Sequence, residues 1–176
     1  MTLEKHVIDT MKEWQIKMGS FDSNIRLYYP KTSLCYYLDL SMDIDNEVLS
    51  RYIEKYFADN KKELGDVIVT AEQDRFCIQI GKEGCDYVEK EVPEPEFLLM
   101  LLETLKCRKM QTILELFEDY AKKHGTKCVC TQKEEDGVET VLYFENMDVD
   151  SYVYCIDQNE FGITYHRFTK DDYINL

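Results

Sequence analysis

The stretch that decides the fold is residues 116–144, LFEDYAKKHGTKCVCTQKEEDGVETVLYF. It begins with an amphipathic helix that ends in basic residues and Gly125, which are typical signals of a helix C-terminus. Two apolar runs follow, separated by the polar turn Glu134–Gly137, and this arrangement predicts a β-hairpin. A helix followed directly by a hairpin indicates an α+β protein, in which amphipathic helices pack on antiparallel sheets.

Upstream of this stretch, the chain predicts three helices. The first covers residues 3–18, because apolar residues recur there every three or four positions: Leu3, Val7, Met11, Trp14 and Met18. A short helix begins at Pro30 and ends near Leu40, although the alternation of apolar residues in this segment leaves a strand open. The third helix covers about residues 44–59, with Asp43 as its N-cap.

The remaining elements alternate between strands and helices. DVIVTAEQ and RFCIQI predict a hairpin around Asp74, and CDYVEKEV predicts a third strand. EFLLMLLETLKC and MQTILELFEDYAKKHG predict two core-facing helices. Four strands should close the chain, near residues 126–133, 138–145, 151–157 and 161–168, with the last hairpin turn at Asp157–Glu160.

A weak internal repeat relates the two halves of the sequence. YIEKYFADNKKELGDVIVTAEQDRFCIQI and the opening stretch both run from an amphipathic helix through basic residues and a glycine to a hairpin. Tyr87-Val88 and Tyr152-Val153 would be the third strands of the two units. We expect one α+β domain over residues 1–176, with 1–92 and 93–176 as its halves if the chain is a duplication, and the sequence leaves that open.

Charge is the strongest global feature of the chain. Asp and Glu total 35 against 21 Lys and Arg, for a formal net charge of -14. Such a field repels phosphate backbones and anionic lipid, so we expect neither nucleic acid nor a membrane as partner. The N-terminus lacks the apolar segment of a signal peptide, and no apolar run is long enough to span a bilayer. The seven cysteines are then reduced thiols, as in a cytoplasmic protein.

Three thiols are the best candidates for chemistry, namely Cys107, Cys128 and Cys130. Cys107 lies between Lys106 and Arg108, and neighbouring cations lower the pKa of an exposed thiol. Cys128 and Cys130 share one strand face, where the expected register puts them beside Val141 and Tyr143 as small apolar core residues.

A metal or cofactor site is not predicted. A structural zinc site needs four converging ligands, and the Cys-x-Cys pair has no second pair to complete it. Cys155 and His166 would lie on one face, but the expected register puts His166 opposite Ser151, too far from Cys155 to share an ion. Asp43, Asp45, Glu47 and Glu54 mimic a calcium loop, but Val48 stands where that loop needs glycine, so these acids favour a helix start instead.

Other functional motifs are absent from the sequence. No phosphate-binding loop and no Gly-x-Ser-x-Gly motif occurs. An aromatic sheet face is expected from the closing strands, and it is either core or an exposed groove: Tyr152, Tyr154, Phe161, Ile163 and Tyr165. We therefore assign no catalytic, cofactor-binding or metal-ligating residue.

The run IRLYYPKTSLCYYL, residues 25–38, and the overall length resemble a family of short uncharacterised bacterial proteins. That family is a domain of unknown function, so the resemblance implies no activity and no site.

Two functional hypotheses remain. The first is a non-enzymatic module that binds a macromolecule, most simply a protein with a basic surface. The alternative is a small-ligand binder or enzyme with a pocket between helices and sheet, using one of the three thiols. Self-association is a third hypothesis, since the oligomeric state does not follow from the sequence.

Overall fold

The structure is a computed structural model, and it describes residues 1–21, 23–133 and 139–174. The chain divides into two compact units, Met1–Glu94 and Pro95–Leu176, which we call the N-terminal and C-terminal units. Each unit contains helices and one antiparallel sheet. The prediction of an α+β fold with helices packed on antiparallel sheets is therefore confirmed.

Within residues 1–21 and 23–94, the N-terminal unit contains four helices and a three-stranded sheet. The helices are α1 Leu3–Met18, α2 Lys31–Leu38, α3 Asn46–Asn60 and α4 Lys82–Glu91, and a short 3-10 turn covers Lys62–Leu64. The strands are β1 Ile25–Pro30, β2 Val67–Glu72 and β3 Arg75–Ile80, in the order β1-β3-β2.

One face of this sheet is the floor of the core. Alternate residues of the three strands point inward and are buried: Ile25, Leu27, Tyr29, Val67, Val69, Phe76, Ile78 and Ile80. The helices cover this face with Leu3, Val7, Leu34, Ile53 and Val88, all fully buried. The outer edge of β2 is satisfied in part by α3, because the Val69 N–H donates to the Glu54 carboxylate at 2.9 Å.

Two elements of this unit differ from the prediction. Ile25–Pro30 is a strand that was not predicted, and Pro30, expected at the start of the short helix, is its last residue. CDYVEKEV is helix rather than strand, because its buried positions Gly84, Cys85 and Val88 have helical spacing. The pairing of Tyr87-Val88 with Tyr152-Val153 as equivalent third strands is therefore wrong, while the repeat itself stays a prediction.

Two details of the predicted helices also change. Asp45, not Asp43, caps α3, since its carboxylate accepts the N–H groups of Glu47 and Val48. In α1, Leu3, Val7 and Met11 are buried as expected, but Trp14 and Met18 are exposed. The second half of α1 instead buries the polar residues Lys12 and Gln15, which donate to backbone carbonyls of α4.

The described part of the C-terminal unit, residues 95–133 and 139–174, contains three helices and a four-stranded sheet. The helices are α5 Glu96–Leu105, α6 Met110–Lys123 and α7 Lys170–Ile174. The strands are β4 Cys128–Lys133, β5 Glu139–Phe144, β6 Tyr152–Asn159 and β7 Gly162–Thr169, in chain order across the sheet. The expected turn at Glu134–Gly137 lies outside the described residues, and the last turn is shorter than expected, at Glu160-Phe161.

The sheet of the C-terminal unit is buried on both faces at its centre. One face and the helices α5 and α6 form an aromatic core: Phe97, Phe117, Phe144, Tyr152 and Tyr154. The opposite face holds a smaller cluster of Val141, Val153 and Cys155, with Tyr143, Phe168 and Tyr173 packed against it. The predicted aromatic face is thus core, except that Phe161 is 82% exposed in the turn.

None of the helices described in residues 1–21, 23–133 and 139–174 is both long enough and apolar enough to cross a membrane.

Candidate functional site

The three candidate thiols lie in two places, the turn after α5 and strand β4. Cys107 is exposed in the turn after α5, between exposed Lys106 and Arg108. Cys128 and Cys130 share a face of β4, but they pair with Phe144 and Leu142, so the expected contact with Val141 and Tyr143 is wrong. Burial raises the pKa of the Cys128 thiol to about 11, and a thiol that stays protonated at neutral pH is a poor nucleophile.

Cys155 and His166 are closer than the sequence suggested. They are directly opposite each other in the β6–β7 ladder, so the prediction that His166 lies opposite Ser151 is wrong. Cys155 is buried and His166 is exposed. The residues that the structure describes nevertheless include no group of three or more His, Cys, Asp or Glu side chains that could hold a metal ion.

The first candidate surface is the α2–α3 connection, which we call the acidic surface. It carries three exposed carboxylates, Asp43, Asp45 and Glu47, interleaved with the exposed apolar side chains Met42 and Val48. As predicted, the acids lie at a helix start, where Asp45 caps α3 and the negative charges favour the positive end of the helix dipole.

The backbone of the acidic surface is held in place from three sides. Ile44 packs against the core of the unit, and its carbonyl accepts a hydrogen bond from Lys31 Nζ at 2.6 Å. The Asn46 side chain donates to the Gln73 carbonyl at 2.9 Å, which ties the start of α3 to the β2–β3 turn. Met42 and Val48 are therefore presented on an ordered segment of chain, a condition that lowers the entropy cost of binding.

The second candidate site is an open depression of about 510 Å³ at the end of the β2–β3 hairpin, which we call the hairpin depression. Six residues line it: Tyr28, Glu72, Gln73, Asp74, Arg75 and Cys77. Strand register explains their meeting, because Tyr28 is directly opposite Cys77, and Glu72 is directly opposite Arg75. The Tyr28 ring is 59% exposed on the outer face of the sheet.

The turn that forms the wall of this depression is fixed by neighbouring elements. Gln73 has a positive φ of 57°, an uncommon conformation for a residue with a side chain. The carbonyls of Gln73 and Asp74 accept hydrogen bonds from the Asn46 side chain and the Lys31 N–H, both at 2.9 Å. The backbone of the turn is thus tied at two successive residues.

The charged side chains of the depression are unengaged. The side chains of Arg75, Glu72 and Asp74 make no hydrogen bond or ion pair with any residue in the described part of the chain. Opposed residues of adjacent strands have Cβ atoms about 4.5–5.5 Å apart. The Arg75 and Glu72 side chains therefore leave the backbone at neighbouring positions, but they form no ion pair with each other. Sequence reasoning missed this site, although the alternation in Ile25–Pro30 could have placed Tyr28 on an outer sheet face.

The fold and these surfaces define an α+β protein of two helix-and-sheet units, with the acidic surface and the hairpin depression both on the N-terminal unit. The chain belongs to the family described as "Domain of unknown function, E. rectale Gene description (DUF3877)", which it matches over residues 1–176. The resemblance to a bacterial family of unknown function is therefore confirmed. No curated protein and no solved structure matches the chain.

Proposed function

We propose that the protein is a non-enzymatic binding module of the bacterial cytoplasm whose partner is a protein with a basic surface. The observation that carries the proposal is the acidic surface, where Met42 and Val48 are 48% and 54% exposed among three exposed carboxylates. Burial of apolar surface is the dominant favourable term in most protein–protein association, and the surrounding charges select the partner and speed the encounter.

The charge of the whole chain supports a protein partner over a nucleic acid. A net charge of -14 attracts a basic protein surface and repels a phosphate backbone. The exposed thiols of Cys107 and Cys130 suit a reducing compartment, which supports the cytoplasmic location.

Site-specific photocrosslinking in native extract tests this function. A photoreactive amino acid replaces Met42 or Val48, and a matched control carries it at Met18, which is 70% exposed on α1 outside the acidic surface. We expect a discrete adduct with a basic protein from positions 42 and 48 only, weakened by salt because the attraction is screened.

Charge reversal completes the test. Adding Asp43→Lys and Glu47→Lys to the photoreactive variant should abolish the adduct, since both side chains are exposed and neither is the α3 cap. An adduct that survives charge reversal, or one that forms equally from position 18, would show that the acidic surface does not select the partner.

A further inference from the structure

The hairpin depression contains one cation and two anions, and all three are unpaired within the described residues. The guanidinium of Arg75 lies on the same face of β3 as the Cys77 thiol, with Glu72 directly opposite and Asp74 next along the chain. A ligand that satisfies all three charges needs one carboxylate and two cationic groups.

The field of the protein narrows the ligand further. In a chain of net charge -14, a simple anion such as phosphate would meet Arg75 only against repulsion from Glu72, Asp74 and the wider surface. A molecule with two positive groups and one negative group gains from both carboxylates and still places its own carboxylate on Arg75. Arg75 can receive that carboxylate through two parallel N–H donors.

The Tyr28 ring supplies an apolar wall for the rest of such a ligand. It is opposite Cys77 and more than half exposed, so its face can contact a methylene chain or a cationic head. The volume of about 510 Å³ is within the usual range of small-molecule sites.

From these features we propose that the hairpin depression binds a free basic amino acid of the arginine or lysine type. The ligand carboxylate pairs with Arg75, its cationic groups pair with Glu72 and Asp74, and its methylene chain lies on Tyr28. This binding does not depend on the proposed protein partner, because none of the three charged side chains belongs to the acidic surface.

Amide chemical shifts of residues 72–77 test the proposal during titration of the whole protein. L-arginine is the first probe, with chloride concentration held constant. Citrulline keeps the shape of arginine without the side-chain charge, and agmatine keeps that charge without the carboxylate. We expect saturable shifts with L-arginine and up to about fivefold weaker binding of either analogue, as for the loss of one exposed ion pair.

Two variants assign the binding to the depression. Arg75→Gln should weaken L-arginine about fivefold. Arg26→Gln should leave it unchanged, because Arg26 lies on the same outer face but bonds to Gln79 outside the depression. Alanyl-arginine tests the need for the α-ammonium group, since the arginine nitrogen is an uncharged amide in this dipeptide, which should therefore bind more weakly than L-arginine.

Three results would overturn the proposal. They are an absence of saturable shifts at the hairpin, equal binding of citrulline and arginine, and unchanged binding in Arg75→Gln when its unfolding curve matches that of the unmodified protein.

Discussion

The two sheets of the molecule use their faces differently. In the N-terminal unit, burial alternates along β1, so Ile25, Leu27 and Tyr29 are inside while Arg26 and Tyr28 are outside. In the C-terminal unit, five consecutive residues of β6, Tyr152–Ile156, are buried. Alternation leaves one face of a sheet for contact with solvent or ligands, whereas a continuous buried run commits both faces to packing.

This difference places the residues that stabilise the fold and the residues available for binding in different parts of the chain. Both candidate sites lie on the N-terminal unit, where exposed side chains can change without disturbing the core. The chemistry-bearing residues of β5 and β6 are instead packed: burial raises the pKa of Tyr154 well above its ordinary value, and its hydroxyl bonds to the Asp150 carboxylate at 3.0 Å. The following five comparisons, each of a substitution with its control, test this separation in order of expected effect.

The largest effect is expected in the aromatic core. Phe117 is fully buried and its ring lies 4.7–5.5 Å from those of Phe97, Phe144 and Tyr154. Phe117→Ala should lower the free energy of unfolding by about 3–5 kcal/mol. The matched control is Phe161→Ala, at an 82% exposed position, which should change it by less than about 0.5 kcal/mol. Urea unfolding followed by circular dichroism measures both, and similar losses would contradict the assignment of the core.

The second comparison concerns Gly84 in the N-terminal unit, where the backbone of α4 approaches its neighbours closely. A Cβ on Gly84 of α4 would lie 2.5 Å from Ile80 Cγ2 and 2.6 Å from the Leu64 carbonyl oxygen. Gly84→Ala should therefore destabilise by about 2–3 kcal/mol, despite the higher helix propensity of alanine. Gly81→Ala has nothing within 4 Å and should have little effect. A stabilising Gly84→Ala in thermal unfolding would show that α4 can move away at no cost.

Two cysteines compare the sheet faces directly. Cys155 is 2% exposed on the second buried face of β6, and Cys77 is half-buried on the outer face of β3. Cys155→Ser exchanges the buried sulfur for a smaller and more polar oxygen beside Val141 and Val153, and it should cost about 1–2 kcal/mol of unfolding free energy. Cys77→Ser should cost less than about 0.5 kcal/mol. Equal costs in chemical denaturation would mean that the two faces are not different.

The acidic surface offers a pair of neighbouring acids with different roles. Asp45→Ala removes the N-cap of α3 and should cost about 1 kcal/mol. Asp43→Ala should be nearly neutral for stability, because its carboxylate caps nothing. A larger loss from Asp43→Ala in parallel thermal melts would restore the cap position expected from the sequence.

The smallest effect concerns pH. Burial alone would raise the pKa of Glu4, but the Tyr56 hydroxyl donates to its carboxylate and the net pKa is below the ordinary value of 4.5. A lowered pKa in the folded state contributes stability that is present above pH 4.5 and lost as pH falls through the folded pKa. Tyr56→Phe should therefore flatten the acid limb of the stability–pH profile.

The same pair of residues should also affect stability at alkaline pH, because the pKa of Tyr56 is raised whereas that of Glu4 is lowered. Burial, with the nearby Glu4 carboxylate, raises the pKa of Tyr56 well above its ordinary value of 10. The stability it contributes is complete below pH 10 and is lost as pH rises towards the folded pKa. The same Tyr56→Phe variant, measured by urea unfolding from pH 3 to pH 11, should show less loss at both ends. Phe161→Ala, which replaces an exposed side chain that does not titrate, is the control and should leave both limbs unchanged.

Periodic elements could be predicted from the sequence, and elements defined by their neighbours could not. The apolar spacing of Ile113, Phe117 and Ala121 was sufficient for α6, and all three are buried. In α4, the β-forming pair Tyr87-Val88 suggested a strand, whereas the buried spacing of Gly84, Cys85 and Val88 needed the close contact at Leu64 to be apparent.

The candidate sites show the same limit. The acids at the start of α3 were found, because a capping residue acts on the adjacent turn. The hairpin depression was not, because Tyr28 and Arg75 meet only through the pairing of β1 with β3.

The distribution of the cysteines has a kinetic consequence. Burial raises the pKa of Cys35 and Cys85 in the N-terminal unit, and Cys155 is buried in the C-terminal unit. A thiol reagent reaches such a group only when the surrounding structure opens, so the labelling rate reports the local opening equilibrium. Each unit therefore contains a buried thiol whose labelling rate reports its own opening. Timed labelling with mass spectrometry can tell whether the two units open together or separately.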